Sequence, residues 1–250
     1  MLNGIDEPIR SYPLRVEAWT EIPGLVHGFL GRAHGLPPGA FTLDDIRDAL
    51  VRAGEEPRLV AAAHQVHGPA VVAPEHLASL TSAPSNAHAD DLPTADALVS
   101  ASADLLLTIR TADCVPILLV APRVRAVAAV HAGWRGTLAG VIEASIAALQ
   151  ARYGARPDEL SAAIGPAIGG CCYTFGTEHR AAFVTRFGAA AAAAWRHDTA
   201  DAEHGYLELR ILCGLALERA GVPTPAITQL GPCTAEHPDE LHSFRRDGSH

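Results

Sequence analysis

Runs of apolar and β-branched residues bounded by glycine and proline recur through the first half of the chain. They are LVHGFLG (25–31), RLVAAAHQVHG (58–68), PAVVAP (69–74), DALVSAS (96–102), LLLTIRTADC (105–114), VPILLVAP (115–122) and VRAVAAVHAG (124–133). Such runs predict strands, several of them continuous enough to be buried on both faces. Helical spacing takes over later, at 137–152, 177–197 and 206–220. One earlier helix is expected at 42–54, where Thr42 stands as N-cap before LDDIRDALVRAG and Gly54 ends the segment. Within 177–197, Phe183, Phe187 and Trp195 recur near helical spacing, so the alanine run 189–194 is expected to continue that helix. ITQLG (227–231) predicts a late strand, and TSAPSNAHADDLPTAD (81–96) a polar surface loop.

Strands first and helices after them imply sheets covered by helices, an α+β layered architecture. The 250 residues contain no linker-like stretch, so one domain spanning 1–250 is expected. With 48% hydrophobic and 19% charged residues the chain has the composition of a packed globular protein. A net charge of −9 offers no general attraction to nucleic acid or to an anionic membrane. The most apolar stretch, VPILLVAPRVRAVAAV, is broken by Pro122, Arg123 and Arg125 before it reaches the length of a membrane span. MLNGIDEPIRSYPLRVEAW carries neither a secretion nor a transit pattern, so a cytoplasmic location is expected, with the five cysteines as thiols.

Three segments carry candidate chemistry: HQVHG (64–68), TADC (111–114) and HAGWRGT (131–137). Each closes an expected strand and supplies one donor, His67, Cys114 or His131. One thiolate and two imidazoles leave zinc a fourth position free, as in catalytic sites. A small core thiol beside two satisfied histidines is the alternative reading of the same residues. His64 is set aside, because three residues along a strand its side chain faces away from that of His67. Arg135 stands among glycines at a strand-to-helix junction suited to an anion. IGPAIGGCCY (164–173) predicts a tight turn. In SFRRDG (243–248), Arg245 and Arg246 form a pair suited to phosphate or carboxylate, with solvated terminal arginines as the plainer reading.

Taken in order, HGFLGR, HQVHG, ADALVS, TADCVPILL, VHAGWRGT, IGPAIGGCCY and FRRDG resemble the motifs of the YfiH-type purine nucleoside phosphorylases, long labelled polyphenol oxidase or laccase-domain proteins. The resemblance runs from about residue 25 to 248. It implies a single-domain α/β/β/α sandwich with mixed sheets and a zinc held by His67, Cys114 and His131. It also implies phosphorolysis of adenosine, inosine, guanosine and methylthioadenosine, and deamination of adenosine by zinc-activated water. The partners so implied are purine nucleosides and phosphate. On chemical grounds Asp113, beside Cys114, is the candidate for proton transfer or for orienting a histidine. Arg135 with Arg245 or Arg246, and Arg32 of HGFLGR, are the candidates for phosphate.

Three departures from the family pattern bear on the entrance and the last strand: AHGLPP (33–38) replaces a GGVS turn, VAP replaces an Asp-bearing strand end, and RRDGSH stands where TGRMA often follows. Copper with phenol oxidation is the older label, yet the chain has no His-X-His pair and a single methionine. Other readings are a metal-free hydrolase with Cys114 as nucleophile and His131 as base, and a purely structural zinc closed by a fourth ligand such as His64.

Overall fold

The computed structural model describes residues 12–34, 42–55, 59–76, 91–198 and 200–248. The strands are β1 (Leu59–Ala61), β2 (Val71–Val72), β3 (Ala97–Ser100), β4 (Leu105–Leu107), β5 (Val115–Ala121), β6 (Ala126–Ala132), β7 (Ser161–Ile164), β8 (Thr174–Gly176), β9 (Trp195–His197), β10 (His204–Leu207) and β11 (Ile227–Gln229). The helices are α1 (Glu17–Thr20), α2 (Leu43–Arg52), α3 (Trp134–Ala139), α4 (Val141–Tyr153), α5 (Arg180–Phe187), α6 (Leu209–Arg219) and α7 (Phe244–Asp247). Six strands form one mixed sheet in the order β11-β7-β5-β6-β3-β2. β1 and β4 pair in parallel, and β8-β10-β9 form a third, antiparallel sheet.

Alternation along the strands builds the layers. Ala97 and Val99, Ile117 and Leu119, Ala128 and Val130, and Ala162 and Ile164 face a core closed by Ile142, Ile146 and Leu149 of α4 and by Leu212, Ala216 and Leu217 of α6. On the other face Leu98 meets Ala61, Ala63, Leu105 and Leu107, so the β1–β4 pair stacks there. The far side of that pair, Val60 and Leu106, packs against Leu43, Ile46 and Leu50 of α2. Helix, six-stranded sheet, two-stranded sheet and helix follow one another, the α/β/β/α order within an α+β fold of mixed sheets. A further cluster, Trp19, Phe29, Val120 and Ala163, covers the rest of the second face. None of the helices is long and apolar enough to cross a membrane among the described residues.

The long apolar runs at β5 and β6 form as expected, and Thr42 caps α2 in a complete capping box with Asp45. Other elements differ. Residues 25–31 form no strand and contribute one bridge, Leu14 to Phe29. The run 58–68 leaves its ladder after Ala61 and adds only an isolated bridge from His64 to Thr94, and the run 105–114 leaves its ladder after Leu107. The helix expected at 177–197 ends at Phe187, where Gly188 takes φ +72°. The alanines continue only as 3-10 turns, and Trp195 begins β9 opposite Leu207. The segment 206–220 likewise splits into the end of β10 and helix α6. The segment at 137–152 begins earlier, at Trp134, and breaks at Gly140, whose φ of +93° separates α3 from α4. Most of the AHGLPP entrance segment and residues 81–90 of the polar loop lie outside the described residues.

A candidate metal centre

β3 pairs antiparallel with β6, and β6 antiparallel with β5, so the start of β3, the end of β6 and the start of β5 come to one end of the sheet. His131 sits in β6 beside Pro116 of β5, which puts Cys114, just before β5, next to the end of β6. The chain entering β2, parallel to β3, brings His67 to the same end. The donor atoms of His67, Cys114 and His131 lie within 4.8 Å of one another. The two imidazole rings meet edge to face with centroids 4.8 Å apart.

Asp96, absent from the sequence-level candidates, organises this group. It is wholly buried immediately before β3, and its carboxylate accepts the backbone N–H groups of Val66 (3.2 Å), His67 (2.8 Å) and Gly68 (2.7 Å). Its Oδ1 also lies 2.7 Å from Nδ1 of His131. Burial alone raises the carboxyl pKa, but the bonds from His131, Gly68 and His67 together outweigh it, and the net shift is downward. An ionised Asp96 takes the Nδ1 proton of His131 as a hydrogen bond and leaves Nε2 its lone pair. The nest of N–H groups also holds His67 in the left-handed region, at φ +61°.

Burial first, and then His131, push the pKa of His67 down, so its ring is neutral and able to donate to a cation. Burial, with Asp113 and Asp96, pushes the Cys114 thiol up to about 12. That is the opposite of what a free cysteine nucleophile needs. A bound cation reverses the balance, because a coordinated thiol is deprotonated outright. Space points the same way: a Cβ on Gly133 would stand 2.7 Å from Cδ2 of His67 and 3.1 Å from Sγ of Cys114. The residues present therefore fit a metal ion. Among the described residues no fourth His, Cys, Asp or Glu joins the three, and His64 instead bridges to Thr94.

The carboxylate that orients a histidine is thus Asp96 rather than Asp113. Asp113, at φ +92°, accepts the Thr234 hydroxyl at 2.6 Å on Oδ1 and the backbone N–H of Arg245 at 2.6 Å on Oδ2. It ties the C-terminal segment to the residue before Cys114. The four arginines separate into two pairs. Arg135 is exposed over the Trp134 ring, its guanidinium carbon 4.3 Å from the centroid. Arg245 lies 5.1 Å from the centroid of Tyr173. Tyr173 is pushed up to about 12 by burial, then by the charge of Cys114, while Arg245 and Arg135 act in the opposite sense. Tyr173 is thus within electrostatic reach of both arginines and of Cys114, a residue the sequence alone did not single out. Arg246 is spent elsewhere, on the carbonyls of Thr234, Ala235 and Leu241 and on Asp247. Arg32 donates to the carbonyl of Pro238. Arg32 also lines a separate cavity of about 1150 Å³ under the second face of the large sheet, which none of the three donors reaches.

An α+β protein of mixed sheets with a site able to hold one metal ion is the class these features define. Residues 44–250 match the family described as multi-copper polyphenol oxidoreductase laccase, and the chain belongs to that family. A protein of Streptomyces coelicolor named purine nucleoside phosphorylase is 37% identical over 220 residues, 87% of this chain and 82% of its own. Two of Xylella fastidiosa with the same name are 40% and 39% identical over 155 residues, but there the match spans 57% of the relative's length. Among solved structures, YlmD from Geobacillus stearothermophilus superposes with a TM-score of 0.74 at 29% identity, over 83% of this chain and 75% of that one. YfiH of Bacillus licheniformis gives 0.71 at 25% identity, over 83% and 76%.

Proposed function

We propose that this protein is a zinc-dependent purine nucleoside phosphorylase that also deaminates adenosine. The observation that carries the reading is the convergence of one thiol and two imidazoles with a fourth position left to a small molecule. The names of its relatives supply the substrate class, purine nucleosides with phosphate, and adenosine, inosine, guanosine and methylthioadenosine are the substrates we expect. When bound, the ion supplies Lewis acidity for the hydrolytic reaction at the purine ring.

The chain's own residues do the rest. Asp96 orients the His131 ring and fixes the backbone that carries His67. Arg135 and Arg245 bind phosphate beside Tyr173, so that a phosphate oxygen bonds to ribose C1′ as the bond from C1′ to the base breaks. Asp113 is a positioning residue that fixes the backbone of Arg245. Copper with phenol oxidation is the second reading, favoured by the description of the family.

Metal-analysed protein incubated with adenosine, with and without phosphate, tests the proposal. Adenine and ribose 1-phosphate should form only with phosphate, and inosine in both cases. Stoichiometric copper with phenol turnover, and no nucleoside product, would replace the proposal by the second reading.

A further inference from the structure

The turn at 169–173 brings a second set of soft donors together, outside the site described above. Cys172 and Tyr173 both donate their backbone N–H to the carbonyl of Gly169, at 3.0 and 2.9 Å, which folds two adjacent cysteines over one point. Cys233 is brought there by an isolated parallel bridge with Ala167, and the single 3-10 turn Thr234–Glu236 returns Glu236 above it. Sγ of Cys171, Cys172 and Cys233 and a carboxylate oxygen of Glu236 all lie within 4.8 Å of one another. The Cys171 thiol donates to Glu236 at 3.1 Å, and the N–H of Gly169 donates to Sγ of Cys233 at 3.2 Å. Gly169 leaves room for the cluster, since a Cβ would stand 3.1 Å from Sγ of Cys171 and 3.3 Å from Cβ of Cys233.

We infer that Cys171, Cys172, Cys233 and Glu236 form a second, structural cation site for zinc. Zinc–sulfur bonds of about 2.3 Å in a tetrahedron put sulfurs about 3.8 Å apart, so the cluster closes on an ion with small side-chain movements. Three thiolates and a carboxylate fill all four positions, the composition of a closed site, unlike the three-donor group at His67, Cys114 and His131. The ion would clamp Cys233 to the turn. The residue after it, Thr234, holds Asp113, which in turn holds the backbone of Arg245. The second site therefore fixes the C-terminal segment against the first.

Cadmium titration of reduced, metal-free Cys114→Ser protein isolates this cluster, because the first site then has no thiolate. One equivalent should bind with the charge-transfer absorption of three thiolates. Adding Cys233→Ser should remove at least a third of that absorption and weaken binding at least tenfold. Absence of saturable absorption, or absorption indifferent to Cys233→Ser, overturns the inference. Should Cys114→Ser fail to fold, the chain that keeps Cys114 gives the same answer. Cys233→Ser should lower its zinc content after gel filtration by one equivalent, and an unchanged content overturns the second site while leaving the first untouched.

Discussion

Nδ1 of His131 and Oδ1 of Asp96 lie 2.7 Å apart across the β3–β6 pair, where the backbone N–H of His131 also donates to the Asp96 carbonyl at 2.7 Å. One buried carboxylate thus sets the tautomer of one donor and the backbone of another. Asp96→Asn should weaken metal binding about 10- to 100-fold, the usual cost of losing a ligand's supporting partner. Competition with a chromogenic chelator measures it, and unchanged affinity would remove Asp96 from the positioning role.

Gly133→Ala is a steric test of the same site. Gly133 has φ −73°, which alanine adopts freely, so the added methyl acts through its approach to His67 and Cys114. Bound metal per chain should drop while the circular dichroism spectrum stays that of the parent. Full metal content in this variant would mean that the rings do not close on an ion.

The two adjacent arginines should behave differently. Arg245→Ala is expected to raise the KM for phosphate about 10- to 100-fold, the loss of one charge-assisted contact. Arg246→Ala should leave that KM near the parent value and lower Tm by about 2–4 °C, as the carbonyls of Thr234, Ala235 and Leu241 lose their donor. Phosphate kinetics and thermal melts on the two variants separate the roles, and equal effects would contradict them.

Tyr153 and Glu75 predict two limbs of pH dependence. Burial raises the Glu75 pKa, but the Tyr153 hydroxyl and other hydrogen bonds outweigh it, and the net value lies below the ordinary 4.5. Its stabilising contribution is present above pH 4.5 and is lost as pH falls through the lowered value. Burial, then Glu75, raises Tyr153 above its ordinary 10.0, so its contribution is present below pH 10 and lost as pH rises through the raised value. Tyr153→Phe should flatten both limbs in urea titrations run across pH. A pH profile parallel to the parent's would refute the coupling.

Much of this arrangement was legible in the residues. β5 and β6 are buried almost throughout, and their unbroken apolar runs mark them whatever their neighbours are. The three donors were visible as polar groups closing such runs. What escaped was where strands stop. RLVAAAHQVHG and LLLTIRTADC carry strand-like residues to their ends, but the backbone leaves the ladder to place His67 and Asp113 at positive φ. That strain is held by Asp96 and by Asp113's bonds to Thr234 and Arg245, which local propensity does not encode. Asp96 itself looked like the end of a solvated loop, because nothing local says that a carboxylate before an apolar strand will be buried. The alanine run misled for a related reason: its side chains have no periodicity to report, and Trp195 is claimed by pairing with Leu207.

The most direct test is a crystal of zinc-loaded protein with anomalous data collected at the zinc edge. The account predicts a peak about 2.3 Å from Sγ of Cys114 and about 2.1 Å from Nε2 of His131 and a ring nitrogen of His67. A map with no peak among these three residues, in protein that is shown to turn over adenosine, would contradict it.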